Sequence, residues 1–126
     1  MVTESKHRLN GFDDRELVVD GARLRYAVSG DGPPLMLVHG LGGTVENWRA
    51  LAPALAERHR VLVPDLPGHG QSEALPEARN LDAFVAAVIA LLDAENLERA
   101  VWIGHSLGGT IALRAAARGS QRPATR

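Results

Sequence analysis

The chain has 126 residues, enough for one domain and for burying a core. Its net charge of -1 removes the electrostatic case for nucleic acid or an anionic membrane surface, and the absence of cysteine removes disulfides, thiolate metal sites and a cysteine nucleophile. Met1 to Asp14 is polar with no signal-like apolar stretch, and the longest apolar run, Ala83 to Leu92, is too short to cross a bilayer; a soluble, cytoplasmic protein is the default expectation.

Residues 1–15 are charged and aperiodic and are expected to form a mobile lead-in. Glu16 to Val19 and Ala22 to Val28 read as short strands joined by Asp20-Gly21, a hairpin signal because both turn positions favour positive φ. Leu24, Tyr26 and Val28 alternate with Arg23, Arg25 and Ala27, which predicts one buried face. Leu35 to Val38 is a continuous apolar run bounded by turn residues, as expected for a strand buried on both faces. It enters a glycine-rich loop, His39-Gly40-Leu41-Gly42-Gly43-Thr44. Val45 to His59 is helical in character, and Pro53 divides it into a short turn followed by a helix with Pro53 in its first turn.

Arg60 to Pro64 is the next buried strand and runs into a second glycine-rich loop, Asp65-Leu66-Pro67-Gly68-His69-Gly70-Gln71-Ser72. Leu81 to Leu92 carries an apolar stripe at helical spacing, read as a packing face. Arg99 to Ile103 reads as a third buried strand with Trp102 in the core, and Thr110 to Arg118 as an alanine-rich helix stopped by Gly119. Residues 16–119 are thus the folded part, and residues 120–126 are expected to be a disordered tail. Strands alternating with helices predict an α/β fold with a mostly parallel sheet, to which the hairpin adds an antiparallel edge. Ligands of such sheets sit at the carboxyl ends of strands. All three glycine-rich loops fall there.

The third of these is Gly104-His105-Ser106-Leu107-Gly108, between the last strand and the last helix. A Gly-x-Ser-x-Gly in this context is a nucleophile elbow, in which the turn is so tight that the serine hydroxyl projects alone. Gly104 and Gly108 are required because a Cβ there would strike the neighbouring strand or helix. With Gly and Ser each near ~7% of residues, a chance match in a chain of this size is about a 4% event, so the surrounding strands and loops carry the reading.

His39-Gly40, then Asp65 to Ser72, then Gly104 to Gly109, in that order, resemble the N-terminal half of an α/β-hydrolase-fold protein of the esterase, C–C hydrolase and haloperoxidase-like branch. The resemblance runs from about Leu17 to Arg118. It implies that Ser106 is the nucleophile that forms an acyl-enzyme on a small acyl substrate. It implies an oxyanion hole built from the backbone N–H groups of Leu41 and Leu107, with His39, Gly40, Trp48 and His105 as candidate pocket residues, Trp48 reading equally as core. No cofactor and no metal are implied. Serine at position 106 disfavours the branches that use an aspartate nucleophile.

In this fold the triad follows the chain order Ser, then Asp or Glu, then His. No Asp, Glu or His follows Ser106 here. The chain therefore reads as a truncated α/β-hydrolase fold, inactive alone, since loss of the base removes roughly 10⁶ in kcat. Its last strand would be an exposed edge open to self-association. The competing readings are a non-catalytic fragment that binds acyl ligands or pairs through that edge, and an acyltransferase. His39, His69 and His105 with Asp65 show no metal-ligand spacing, and Asp65 reads as a tie for its own loop. Glycines 40, 42 and 43 are not followed by Gly-Lys-Ser/Thr, so they do not read as a phosphate loop.

Overall fold

A computed structural model describes residues 8–76 and 80–119. The expected tail, residues 120–126, and the first seven residues of the expected lead-in lie outside them. The strands are β1 (Asp13–Val19), β2 (Ala22–Ser29), β3 (Pro34–Val38), β4 (Arg60–Pro64) and β5 (Val101–Gly104). The helices are α1 (Ala52–Leu55), α2 (Leu81–Ala94) and α3 (Leu107–Gly119), with a 3-10 turn at Val45–Trp48. The sheet order is β1-β2-β4-β3-β5. β3 lies parallel to both β4 and β5, and the β1–β2 hairpin joins through β2, antiparallel to β4.

The Asp20-Gly21 turn forms as its sequence requires, with φ of +50° and +84°, setting Val19 opposite Ala22. Pro53 stands in the first turn of α1, where its missing N–H costs nothing. Asn80 caps α2 by accepting from the Ala83 N–H. Strand alternation sorts the core into two layers. Tyr26, Val28, Met36, Val38 and Leu62 face α2 and α3. Ala27, Leu35, Leu37, Val61 and Val63 face the 3-10 turn and α1. The C-terminal end of α2 is pinned by Glu95, which accepts from the Tyr26 hydroxyl and pairs with Arg15 and Arg60.

Three expectations are corrected. The lead-in is partly structured: Leu9 and Phe12 are buried, closed by a Phe12 N–H to Leu9 carbonyl turn, and Asp13 to Arg15 belong to β1. β2 is buried on both faces from Leu24 to Val28, because Arg25 turns inward to a buried carboxylate and not outward to water. β5 is the exposed edge that was expected and so not a fully buried strand: it pairs with β3 alone among the described residues, Val101 is 60% exposed, and Trp102 is half-buried against the α2–α3 layer. An open groove of about 520 Å³ runs beside β5, lined by Val101, Trp102, Ala112, Leu113 and Ala116.

Candidate active site

From β3 the chain crosses one face of the sheet, through the 3-10 turn and α1, to β4. From β5 it leaves on the other face, into α3. These two parallel neighbours are in level register, Val38 opposite Gly104. Their continuations therefore diverge at the carboxyl ends and open a crevice, the place where such sheets bind ligands. Gly40 and Ser106 stand at that crevice.

The elbow is tight. β5 ends at Gly104 and α3 begins at Leu107, so two residues reverse the chain. Ser106 takes φ of +59°, a left-handed conformation that costs a residue with a Cβ about 1–3 kcal/mol. Neighbouring bonds hold it there: His105 N–H donates to the Val38 carbonyl (3.1 Å), and Gly109 N–H donates to the Ser106 carbonyl (2.8 Å). A Cβ on Gly104 would lie 2.2 Å from the Gly108 carbonyl oxygen, and one on Gly108 would lie 2.1 Å from the Val38 carbonyl oxygen. Both glycines thus permit backbone to approach backbone, as the motif requires.

Ser106 and His105 are exposed. The Ser106 hydroxyl has no hydrogen-bond partner among the described residues, and neither do the backbone N–H groups of Leu41 and Leu107. Leu107 opens α3, so its N–H also carries the positive end of the helix dipole. Helix α3 starts at Leu107 and not at Thr110, because the glycines of the elbow are already helical. The Gly40-Leu41-Gly42-Gly43 segment is a type II turn, closed by Gly43 N–H to the Gly40 carbonyl (3.0 Å), with Gly42 at φ +81°. That loop lies against the elbow: a Cβ on Gly40 would sit 3.0 Å from both Ser106 Cβ and the His105 carbonyl oxygen. Leu41 projects into solvent, 78% exposed.

His39 and Trp48 do not sit as expected for open pocket walls. His39 is fully buried with both ring nitrogens engaged: Nδ1 meets the Gly40 carbonyl at 2.7 Å, and Nε2 accepts from the Leu66 N–H at 3.0 Å. Burial lowers its pKa. Trp48 packs in the layer on the α1 side with Leu55 and Ile103, and its buried indole N–H has no partner among the described residues. No histidine nitrogen is bonded to the Ser106 hydroxyl among the described residues, and these residues hold no cluster fit for a metal ion.

Directly after β4 stands Asp65, which sequence reading placed as a loop tie. Its carboxylate accepts from the Val45 N–H, the Gln71 N–H and Arg25 Nη1, each at 2.8 Å. One buried side chain thereby fastens the loops after β3 and β4 to β2. Gly70, at φ +51°, wraps the carboxylate so closely that a Cβ there would lie 2.3 Å from Oδ2. Ser72 completes the join, accepting from the Arg25 N–H (2.8 Å) and donating to the Asp65 carbonyl (2.7 Å). The partner Arg25 had no local signal, since it lies 40 residues upstream in a strand that reads as alternating.

The sequence model of the alpha/beta hydrolase fold family matches residues 33–123. The chain is 43% identical over 109 residues to a dihydrolipoyllysine-residue acetyltransferase component of the acetoin cleaving system from Pseudomonas putida, covering 85% of this chain and 30% of that one. It is 42% identical over 112 residues to a 2-hydroxymuconate semialdehyde hydrolase from Pseudomonas sp. (strain CF600), covering 86% of this chain and 40% of that one. The crystal structure of epoxide hydrolase A from Mycobacterium thermoresistibile matches with a TM-score of 0.76 at 33% identity, over 82% of this chain and 34% of that one. The chain thus spans 30% and 40% of the lengths of these two sequence relatives. With the family match covering most of the chain and the same fold in a solved relative, the chain belongs to the alpha/beta hydrolase fold family.

Proposed function

We propose that this chain carries the nucleophile and oxyanion hole of a serine hydrolase that cleaves ester or related acyl bonds. The observation that carries the reading is Ser106. It is exposed, held in a left-handed conformation at the switch point, and flanked by two backbone N–H groups with no partner among the described residues. The hydroxyl attacks the acyl carbon, the carbonyl oxygen takes up negative charge beside Leu41 and Leu107, and water releases the acyl group. The similarity to a named hydrolase supports this class. No Asp, Glu or His follows Ser106 in these 126 residues, so in the Ser, acid, His order neither the base nor its orienting acid is among them.

The test is exposure of the natural polypeptide to a fluorophosphonate, which reacts with an activated serine. An adduct on the tryptic peptide Ala100 to Arg114, lost in Ser106→Ala, is the expected result. An unlabelled peptide, beside a labelled control hydrolase, would refute the reading. An adduct on a species of 13.5 kDa would place the base within this chain or a partner, and a heavier species would place it elsewhere in a longer one.

Acyl transfer is the second reading, favoured by the similarity to a protein named as an acetyltransferase component. The same acyl-enzyme serves both. Product formed with an added alcohol or amine in preference to water distinguishes transfer from hydrolysis.

A further inference from the structure

We propose that neutral His39 is the positioning residue for the Leu41 N–H, pinning the peptide unit between Gly40 and Leu41 from its carbonyl side. The geometry fixes the tautomer. The Leu66 N–H can only donate, so the Nε2 it meets at 3.0 Å carries no proton. The proton is then on Nδ1, which donates to the Gly40 carbonyl at 2.7 Å. That carbonyl and the Leu41 N–H belong to one planar trans peptide unit and point in opposite directions. Holding the carbonyl against the ring therefore aims the N–H the other way. The second bond to the same carbonyl, from Gly43 N–H at 3.0 Å, closes the turn and holds the carbonyl together with the ring.

The device depends on protonation. A proton on Nε2 would face the Leu66 N–H, donor against donor, and break the tie between the loops after β3 and β4. The ring is buried away from water, which disfavours that proton, and the Gly40 carbonyl favours it. His69, with its ring centre 5.1 Å away, opposes a charge on His39, and Asp65 favours one but is itself paired with Arg25. From the elbow, His105 is the remaining titratable neighbour, its Nδ1 close against Gly40. Because burial holds its pKa below the ordinary 6.5, the tie is intact at neutral pH and opens as pH falls through the lowered value.

The catalytic consequence rests on the serine-hydrolase reading; the loop geometry does not. In the nitrogen-labelled 126-residue chain, imidazole spectra are expected to show His39 as the Nδ1–H tautomer. As pH falls from neutral through the lowered value, the protection of the Leu66 amide from exchange, corrected for intrinsic rate, is expected to fall about tenfold, the size of one lost buried hydrogen bond. The Leu41 amide resonance should move with it. His39→Gln, which does not titrate, should abolish the step. An Nε2–H tautomer, or a pH step at Leu66 retained in His39→Gln, would overturn the proposal. In the polypeptide labelled at Ser106, His39→Leu should slow labelling about 10²-fold, as for a lost oxyanion donor. His39→Asn, which keeps an N–H for the adjacent carbonyl, should restore part of it. If no variant is labelled, the hydrolase reading fails while the tautomer and exchange data still decide the role of His39.

Discussion

Substituting Gly108 by alanine tests why the helix after the elbow can lie where it does. The added methyl would be 2.1 Å from the Val38 carbonyl oxygen and 2.5 Å from that of His39. It is roughly 1.3 Å short of ordinary contact. Both obstacles are backbone, so no side chain can rotate away, and either α3 or the end of β3 must move. Overpacking costs about 1–3 kcal/mol, and a site with no give belongs at about 3. At about 4 °C for each kcal/mol in a chain of this length, the melting temperature should fall by about 12 °C. Gly109→Ala is the control: its Cβ would meet nothing closer than the Gly104 carbonyl oxygen at 3.6 Å, an ordinary contact. There alanine should stabilise the helix by up to about 1 kcal/mol and raise the melting temperature by a few degrees. The assay is thermal unfolding followed by circular dichroism. If Gly108→Ala melts with the wild type, or if both variants shift alike, close approach is not what selects glycine at position 108.

Asp65→Ala should destabilise by about 3–5 kcal/mol in urea unfolding, because it takes one of two carboxylate partners from the buried Arg25, which keeps Asp14, and removes the acceptor of two loop amides; a loss below 1 kcal/mol would refute the hub. Burial, with help from the Glu95 hydrogen bond, pushes the Tyr26 hydroxyl from 10 up to about 12. The fold thus favours the neutral phenol, and its contribution is fully present below pH 10 and lost as pH rises through 12. Tyr26→Phe should flatten that part of the stability profile, and an unchanged alkaline limb would refute the assignment. The open edge of β5 predicts concentration-dependent association of the isolated chain in light scattering, reduced by Val101→Lys at an exposed position; a wild type that stays monomeric at every concentration would refute it.

Most of the architecture was legible because its signals are local. An Asp-Gly turn between alternating runs, apolar strands bounded by glycine and proline, and a helical stripe each act within a few residues. The elbow was legible for the same reason: Gly104, Ser106 and Gly108 are two residues apart, and the turn between strand and helix dictates them. Trp48 and His39 were harder, since their types suit a pocket wall and a core equally.

What the sequence by itself determined is the set of elements, parallel strands beside an antiparallel hairpin, and three glycine-rich loops gathered at one end with an exposed serine among them. Tertiary structure decided how the loops are held. The hairpin joins β4 through β2, so Arg25 reaches a carboxylate 40 residues away, and His39 turns inward to an amide 27 residues away. Such pairs form because a buried charge or ring nitrogen must find a partner wherever the chain brings one. That choice depends on which backbones meet in space, and no local pattern of residues encodes it.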